Sequence, residues 1–147
     1  IETIHAATDL LAEAKLSPEL RNEALYYRAK AYTKQKADKK AMEDYRELAK
    51  DTRNSYGAEA KYQVAQSLYG AKEYAAAEKE LLNYIEQSTP HAYWLARSFI
   101  LLSDVYHATG KDLDARQYLL SLQQNYQGND DIESMIESRL SKLKVEN

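Results

Sequence analysis

The apolar residues between positions 58 and 90 follow a helical spacing that is interrupted once and then resumes. They are Tyr62, Val64, Ala65, Leu68 and Tyr69 before the interruption, and Tyr74, Ala77, Leu81, Leu82 and Ile85 after it. Intervals of three and four place apolar side chains on one side of an α-helix. The interruption at 70–73 begins with a glycine, which favours a turn. The stretch therefore predicts two helices joined by a short turn.

The same pattern recurs before and after this stretch. The small residues of the first helix are Ala29, Ala65 and Ser103, and those of the second helix are Ala41, Ala77 and Ala115. Both series are separated by 36 and then 38 positions, and the two small residues of each unit are 12 apart. A small side chain lets two antiparallel helices approach closely while larger neighbours interlock around it. We therefore predict that these six residues lie at helix crossings.

The repeat divides the chain into five segments within a single expected domain, residues 1–147. These are a partial repeat at 1–20, three repeats at 22–56, 58–90 and 96–127, and a capping helix at 129–144. Ser17 and Pro18 are expected to end the first helix, and Gly57 is expected to supply a helix-ending conformation. Asn129, Asp130 and Asp131 precede the last apolar stripe and are candidate caps for its helix. That helix is expected to cover the open end of a stacked array.

These positions resemble the tetratricopeptide repeat (TPR) family. The best matches are Ala29/Tyr32/Ala41/Tyr45 and Ser103/Tyr106/Ala115/Leu119, and Gly110 stands where the family has a turn glycine. The resemblance implies an all-α fold, a right-handed α-α superhelix (a TPR-like solenoid) with a C-terminal capping helix. The long spacings and the 13 tyrosines are also similar to TPR proteins of the bacterial cell envelope, such as the domain associated with the Tol-Pal system. That likeness favours a periplasmic or cell-envelope location and leaves a cytoplasmic one open.

Composition narrows the choice of partners. The chain has 44% hydrophobic and 29% charged residues, a net charge of -3 and no cysteine. Interspersed charges of both signs do not favour nucleic acid, and no apolar run has the length that membrane insertion requires. Without cysteine the chain forms no disulfide and has no thiolate chemistry. Because the chain starts at Ile1 with half a repeat, we expect it to be a fragment of a longer protein.

The TPR resemblance implies a binding groove lined by the first helices of the repeats. Its predicted residues are Tyr26, Lys30, Lys34, Tyr62, Gln66, Tyr69, Asp104 and His107. Tyrosines supply contact area with a hydrogen-bonding tip, which suits a peptide, a partner helix or a subunit. Alternatively, Tyr26, Tyr62 and Tyr69 pack between helices as core residues. A second hypothesis is a structural segment that mediates self-association or stacking of repeats.

No set of residues predicts catalysis, a metal or a cofactor. His5, His91 and His107 are far apart and lack partners at metal-ligand spacing, and a pairing of His107 with Asp104 is expected to be a solvated contact. The paired acids Asp112/Asp114 and Asp130/Asp131 stand at helix starts, where capping explains them. A lysine-rich turn, made of Lys34, Lys36, Lys39 and Lys40, is expected to be balanced by Glu43, Asp44 and Glu47. We therefore expect a non-enzymatic protein.

Overall fold

A computed structural model of the chain describes residues 2–13, 15–87 and 90–143, and these contain eight α-helices and no strand. The helices are α1 Glu2–Leu11, α2 Pro18–Lys34, α3 Asp38–Leu48, α4 Ser55–Gly70, α5 Tyr74–Glu86, α6 Ala92–Ala108, α7 Asp112–Asn125 and α8 Ile132–Lys142. The predicted all-α class is confirmed. The predicted end of the last helix at Lys144 lies outside the described residues.

The chain forms two compact units, residues 1–64 (unit 1) and residues 65–147 (unit 2), and α4 contributes to both. In unit 1, α2 packs against α1 and α3. In unit 2, α6 packs against α5, α7 and α8, and α8 also packs against α7. All of these pairs except α6 with α8 are formed by helices that follow one another in the chain.

The six small residues of the repeat are all buried. Ala29, Ala41, Ala65, Ala77, Ser103 and Ala115 are each no more than 2% exposed. The large residues four positions after the second small residue, Tyr45, Leu81 and Leu119, are buried too. Side chains that are small and fully covered allow close approach of packed helices. The regularity found in the sequence thus corresponds to equivalent buried positions.

The turn inside each repeat has one conformation that recurs three times. Lys36, Lys72 and Gly110 have positive φ angles of 62°, 62° and 80°, and they are separated by the same 36 and 38 positions. The next residue donates its N–H to the carbonyl five positions earlier: Ala37 to Tyr32 at 2.8 Å, Glu73 to Leu68 at 2.9 Å and Lys111 to Tyr106 at 2.7 Å. This is the Schellman arrangement, which satisfies the last carbonyls of a helix. A search of the sequence for glycine would find this turn only at Gly110, because lysine occupies the other two positions.

Replacing Lys72 by glycine is expected to stabilise the protein by about 1 kcal/mol, because a left-handed conformation is unfavourable for a residue with a Cβ atom. Urea denaturation followed by circular dichroism measures the change. The matched control is Lys79→Gly in the exposed interior of α5, which is expected to destabilise by about 1 kcal/mol. Equal destabilisation by both substitutions would contradict the assignment of the turn.

The start of α2 corrects the predicted boundary at Ser17 and Pro18. These residues begin a helix and do not end one: Ser17 is the N-cap, its Oγ accepts the N–H of Leu20 at 3.2 Å, and Pro18 is the first helical residue. Proline suits that position because its missing N–H would have no partner there and its φ is already helical. The first helix ends earlier, at Leu11.

Gly57 also has a different role from the predicted one. It lies in the first turn of α4 and does not end a helix. Its N–H donates to Oδ1 of Asn54 at 2.9 Å, so the Asn54 side chain caps the helix. A Cβ atom on Gly57 would stand 1.8 Å from the carbonyl oxygen of Asp51. The glycine is required by close approach of the backbone.

A partly buried ion pair joins α2 to α3 in unit 1. Arg28 donates from Nε and Nη2 to the two carboxylate oxygens of Asp44 at 2.8 and 2.6 Å, and from Nη1 to the Thr8 hydroxyl at 3.2 Å. The Arg28 and Asp44 side chains are 20% and 5% exposed. The hydrogen bonds and charge of Asp44 outweigh burial and raise the pKa of Arg28. One arginine therefore connects three helices.

This ion pair changes the expected charge balance of the lysine-rich turn. Asp44 is committed to Arg28, and Glu47 pairs with Arg21 at 3.3 Å and Lys50 at 2.8 Å. Two of the three acids predicted to balance the turn lysines therefore have other partners. The four lysines themselves are exposed.

The last helix, α8, buries Ile132 and Ile136, while Leu143 follows its end. Of the three candidate caps, Asp130 accepts the N–H of Ile132 at 3.0 Å, and Asp131 instead accepts the Tyr93 hydroxyl at 3.0 Å. The predicted amphipathic helix is present and is shorter than predicted at its start.

Candidate interaction site

A cavity of about 370 Å³ in unit 2 brings together four of the eight predicted groove residues. It is lined by Gln66 and Tyr69 of α4, Ser103, Asp104 and His107 of α6, Arg139 and Lys142 of α8, and Leu143. Three helices thus supply its walls. The lining is mostly polar, with the ring of Tyr69 as its aromatic component.

The lining residues occupy equivalent positions on their helices. Each helix supplies one pair of residues three positions apart: Gln66 and Tyr69, Asp104 and His107, Arg139 and Lys142; α6 also supplies Ser103. Residues at this spacing lie on one face of a helix. The first two pairs are separated by 38 positions, which is also the distance between the second and third repeats.

Asp104 forms its ion pair with Arg139, whereas the sequence spacing had predicted a pair with His107. Nε and Nη2 of Arg139 donate to Oδ1 and Oδ2 of Asp104 at 3.2 and 3.3 Å. The Arg139 and Asp104 side chains are 31% and 21% exposed, so the pair is only partly shielded from water. His107 instead places Nδ1 2.9 Å from Oδ1 of Asp112, at the start of α7. The sequence spacing suggested the wrong partner because another helix supplies the closer one.

Tyr69 is a neutral hydrogen-bonding group in the cavity wall. Burial, followed by the negative charge of Asp104, raises the pKa of its hydroxyl. Its ring packs against Tyr74 with ring centroids 5.7 Å apart. The phenol is therefore held by a neighbouring aromatic side chain and keeps its proton at neutral pH.

Arg139 and Lys142 were not among the predicted groove residues. The sequence pattern assigned them to the polar face of the capping helix, where charged residues are ordinarily solvated. Their positions are 35 residues after Asp104 and His107, close to the length of one repeat. Extending the repeat into α8 is the signal that would have identified them.

The predicted groove residues of unit 1 form a second polar cluster. Tyr26 donates its hydroxyl to Oε1 of Glu59 at 2.9 Å, and Lys30 places Nζ 2.8 Å from Oε2. The Lys30 ammonium also lies 5.2 Å from the centre of the Tyr26 ring. Glu59, which the sequence did not single out, is buried. It connects the two predicted residues through one carboxylate.

This cluster neutralises the lysine that the groove hypothesis needed. Burial by itself would lower the pKa of Lys30, but the hydrogen bond and charge of Glu59 outweigh it and raise that pKa. Burial and Glu59 together raise the pKa of Tyr26. The cluster therefore presents a paired cation and carboxylate, with no excess positive charge from these three side chains.

The remaining predicted residues differ in exposure. Lys34 ends α2 and is exposed, whereas Tyr62 is only 6% exposed. A phenol with that little accessible surface contributes to packing more than to contact with a partner. Lys34 has solvent around it and no position in either polar cluster.

An apolar cleft of about 660 Å³ lies elsewhere in unit 2, beside α6 and α7. Phe99, Leu113 and Tyr118 are among its lining residues, and the rings of Phe99 and Tyr118 pack edge to face with centroids 5.6 Å apart. Leu113 is 68% exposed. A large exposed leucine beside two aromatic rings is an apolar surface feature separate from the polar cavity.

Within the described ranges, no three or more histidine, acidic or cysteine side chains are grouped to hold a metal ion. No helix in that part of the chain combines the length and apolar character needed to cross a membrane. The chain matches no protein-family model, no curated protein and no solved structure. The class that the observations define is a helical-repeat-like all-α protein.

Proposed function

We propose that this chain is a non-catalytic interaction module of the TPR type, in which a right-handed superhelix binds a peptide, a helix or a subunit on the face presented by the first helices of its repeats. The recurrence of buried small residues and of one turn conformation at separations of 36 and 38 supports a repeat architecture. The C-terminal helix α8 acts in this proposal as the capping helix.

The observation that carries the proposal is the cavity formed by α4, α6 and α8. Equivalent positions on alternate helices supply most of its lining, as expected when a repeat architecture builds a binding surface from one position used several times. Its mixture of an aromatic ring, amide, imidazole and charged groups suits hydrogen bonding to an extended chain. A volume of about 370 Å³ accommodates a small number of side chains.

Panning a phage-displayed random peptide library against the immobilised chain tests the proposal. Peptides selected in this way are expected to bind Gln66→Ala/His107→Ala at least about tenfold more weakly, because both side chains line the cavity and are exposed enough to be removed without a core defect. Fluorescence anisotropy with a labelled peptide measures the affinities.

The matched control is Lys79→Ala/Gln124→Ala, which removes two exposed side chains of α5 and α7 that line neither this cavity nor the apolar cleft. It is expected to bind the selected peptides as the parent chain does. Equal affinities for the parent and Gln66→Ala/His107→Ala would place the binding surface elsewhere. Circular dichroism of each variant excludes unfolding as the cause.

A second candidate function is self-association through the apolar cleft. Exposed Leu113 beside Phe99 and Tyr118 favours it, because apolar surface of this kind gains free energy when a second copy covers it. Sedimentation velocity over a wide range of concentrations separates the two functions. A concentration-dependent dimer that Leu113→Lys abolishes supports association, and a monomer throughout excludes it.

A further inference from the structure

The cavity in unit 2 holds more positive than negative formal charge. Arg139 and Lys142 contribute two cations, and Asp104 is the one carboxylate in the lining. His107 has its Nδ1 engaged with Asp112, outside the lining. Within residues 2–13, 15–87 and 90–143, the Lys142 ammonium has neither a hydrogen bond nor an ion-pair partner. One positive charge in the cavity is therefore uncompensated by the described residues.

The other cation is held by long contacts. The two contacts between Arg139 and Asp104 measure 3.2 and 3.3 Å, whereas those between Arg28 and Asp44 measure 2.8 and 2.6 Å. Charge-assisted hydrogen bonds of full strength are about 2.7–2.9 Å long. Arg139 is also partly exposed, so water or a ligand can reach its guanidinium. The Arg139–Asp104 pair is the weaker of the two and the easier one to open.

We propose that this cavity receives the side-chain carboxylate of an acidic residue within a partner peptide, and that Asp104 lowers the affinity by competing for Arg139. This inference rests on the interaction function proposed above. Lys142 supplies the positive charge that the described residues leave uncompensated. Arg139 moves one of its guanidinium N–H donors from Asp104 to the incoming carboxylate. The Tyr69 hydroxyl is a further donor in the same wall. Asp104 is thus an internal carboxylate that a ligand displaces.

The structural alternative assigns the same residues to the stability of α8. Arg139 and Lys142 stand in its last turn, where positive charge offsets the helix dipole, and the ion pair ties α8 to α6. That alternative predicts that removing the charge of Asp104 loosens α8 and leaves anion affinity unchanged or reduced. Competition predicts the opposite sign for affinity, which makes Asp104→Asn the decisive variant.

The probe is an N-acetylated, C-amidated tetrapeptide, Ala-Glu-Glu-Ala, titrated into the intact chain while NMR follows the backbone amides of α8 and the Arg139 Nε–H group. We expect saturable shifts with a dissociation constant in the millimolar range, weakened by added salt because the contacts are partly exposed. Lys142→Gln is expected to weaken binding about tenfold, and Asp104→Asn to tighten it about threefold to tenfold. Asp9→Asn, an exposed residue of α1 outside the cavity lining, is the charge-matched control and is expected to change nothing.

Two further peptides identify the source of the carboxylate. Acetyl-Ala-Gln-Gln-Ala-amide is expected not to bind, and acetyl-Ala-Gln-Gln-Ala with a free C-terminus is expected to bind more weakly than the glutamate peptide. Binding of the neutral peptide as tight as that of the acidic one, binding that needs only the free terminus, or an absence of shifts at α8 would each overturn the proposal. So would an affinity that Asp104→Asn fails to raise.

Failure here is distinguishable from failure of the proposed function. Library-selected peptides could bind the cavity and lose affinity for Gln66→Ala/His107→Ala, while their affinity depends neither on acidic residues in the peptide nor on Asp104→Asn. That result would contradict the carboxylate assignment and support the interaction module. If substitutions in the cavity lining change the affinity of neither the selected peptides nor the acidic probe, both the carboxylate assignment and the proposed function are contradicted.

Discussion

Gly57→Ala is expected to lower the free energy of unfolding by about 3 kcal/mol, because the added methyl group would overlap the backbone. Its Cβ would stand 1.8 Å from the carbonyl oxygen of Asp51 and 2.8 Å from that of Leu48. Backbone atoms cannot move away as the end of a flexible side chain does, so the connection before α4 must shift. Urea denaturation followed by circular dichroism measures the loss.

The matched control for this substitution is in the same helix. Gly70 ends α4, and a Cβ built there meets no atom within 4 Å. Gly70→Ala is therefore expected to leave stability unchanged or to raise it by up to about 1 kcal/mol, since alanine favours the helix over glycine. A loss of similar size in both variants would show that the contact with Asp51 is not the cause of the effect of Gly57→Ala.

Arg28→Met is expected to destabilise the protein by about 3 kcal/mol, because it leaves the Asp44 carboxylate buried without its counter-charge. Asp44 is only 5% exposed, and Arg28 supplies both of its short hydrogen bonds. The substitution also removes the contact between Arg28 and the Thr8 hydroxyl, so α1 is expected to be less firmly held. The same denaturation experiment measures the change.

Two further variants separate the buried charge from the loss of an arginine side chain. Arg21→Met removes an arginine of the same helix whose pair with Glu47 is 47% and 39% exposed, and it is expected to cost less than about 1 kcal/mol. Arg28→Met/Asp44→Leu removes both charges and is expected to recover most of the stability. If the double variant were less stable than Arg28→Met, the unpaired carboxylate would not be the cause.

The sequence could predict the helices and their buried faces because these follow from local spacing. Ala29, Ala65 and Ser103 repeat at intervals that place them on equivalent faces, and all three are buried. The repeat also marks positions 36, 72 and 110, where the turn is left-handed although two of the residues are lysines. Here the hydrogen-bond pattern of the helix end decides the left-handed conformation. Only at Gly110 is the residue type the one that this conformation favours.

The candidate site could be predicted only in part. Gln66, Tyr69, Asp104 and His107 were expected to share a surface, and they line one cavity. The spacing of three and four positions identified the shared face of each helix. It did not identify Glu59, which pairs with Lys30, because that pair joins residues 29 positions apart.

The sequence by itself determined which residues of each helix share a face, since the α-helix repeats every 3.6 residues whatever surrounds it. Only the tertiary structure decided which charged groups meet: Asp104 binds Arg139, His107 binds Asp112, and Asp44 binds Arg28. It also decided that Gly57 approaches Asp51 too closely for any side chain. Such contacts depend on the positions of neighbouring helices to within an ångström, and spacing along one helix carries no information about that distance.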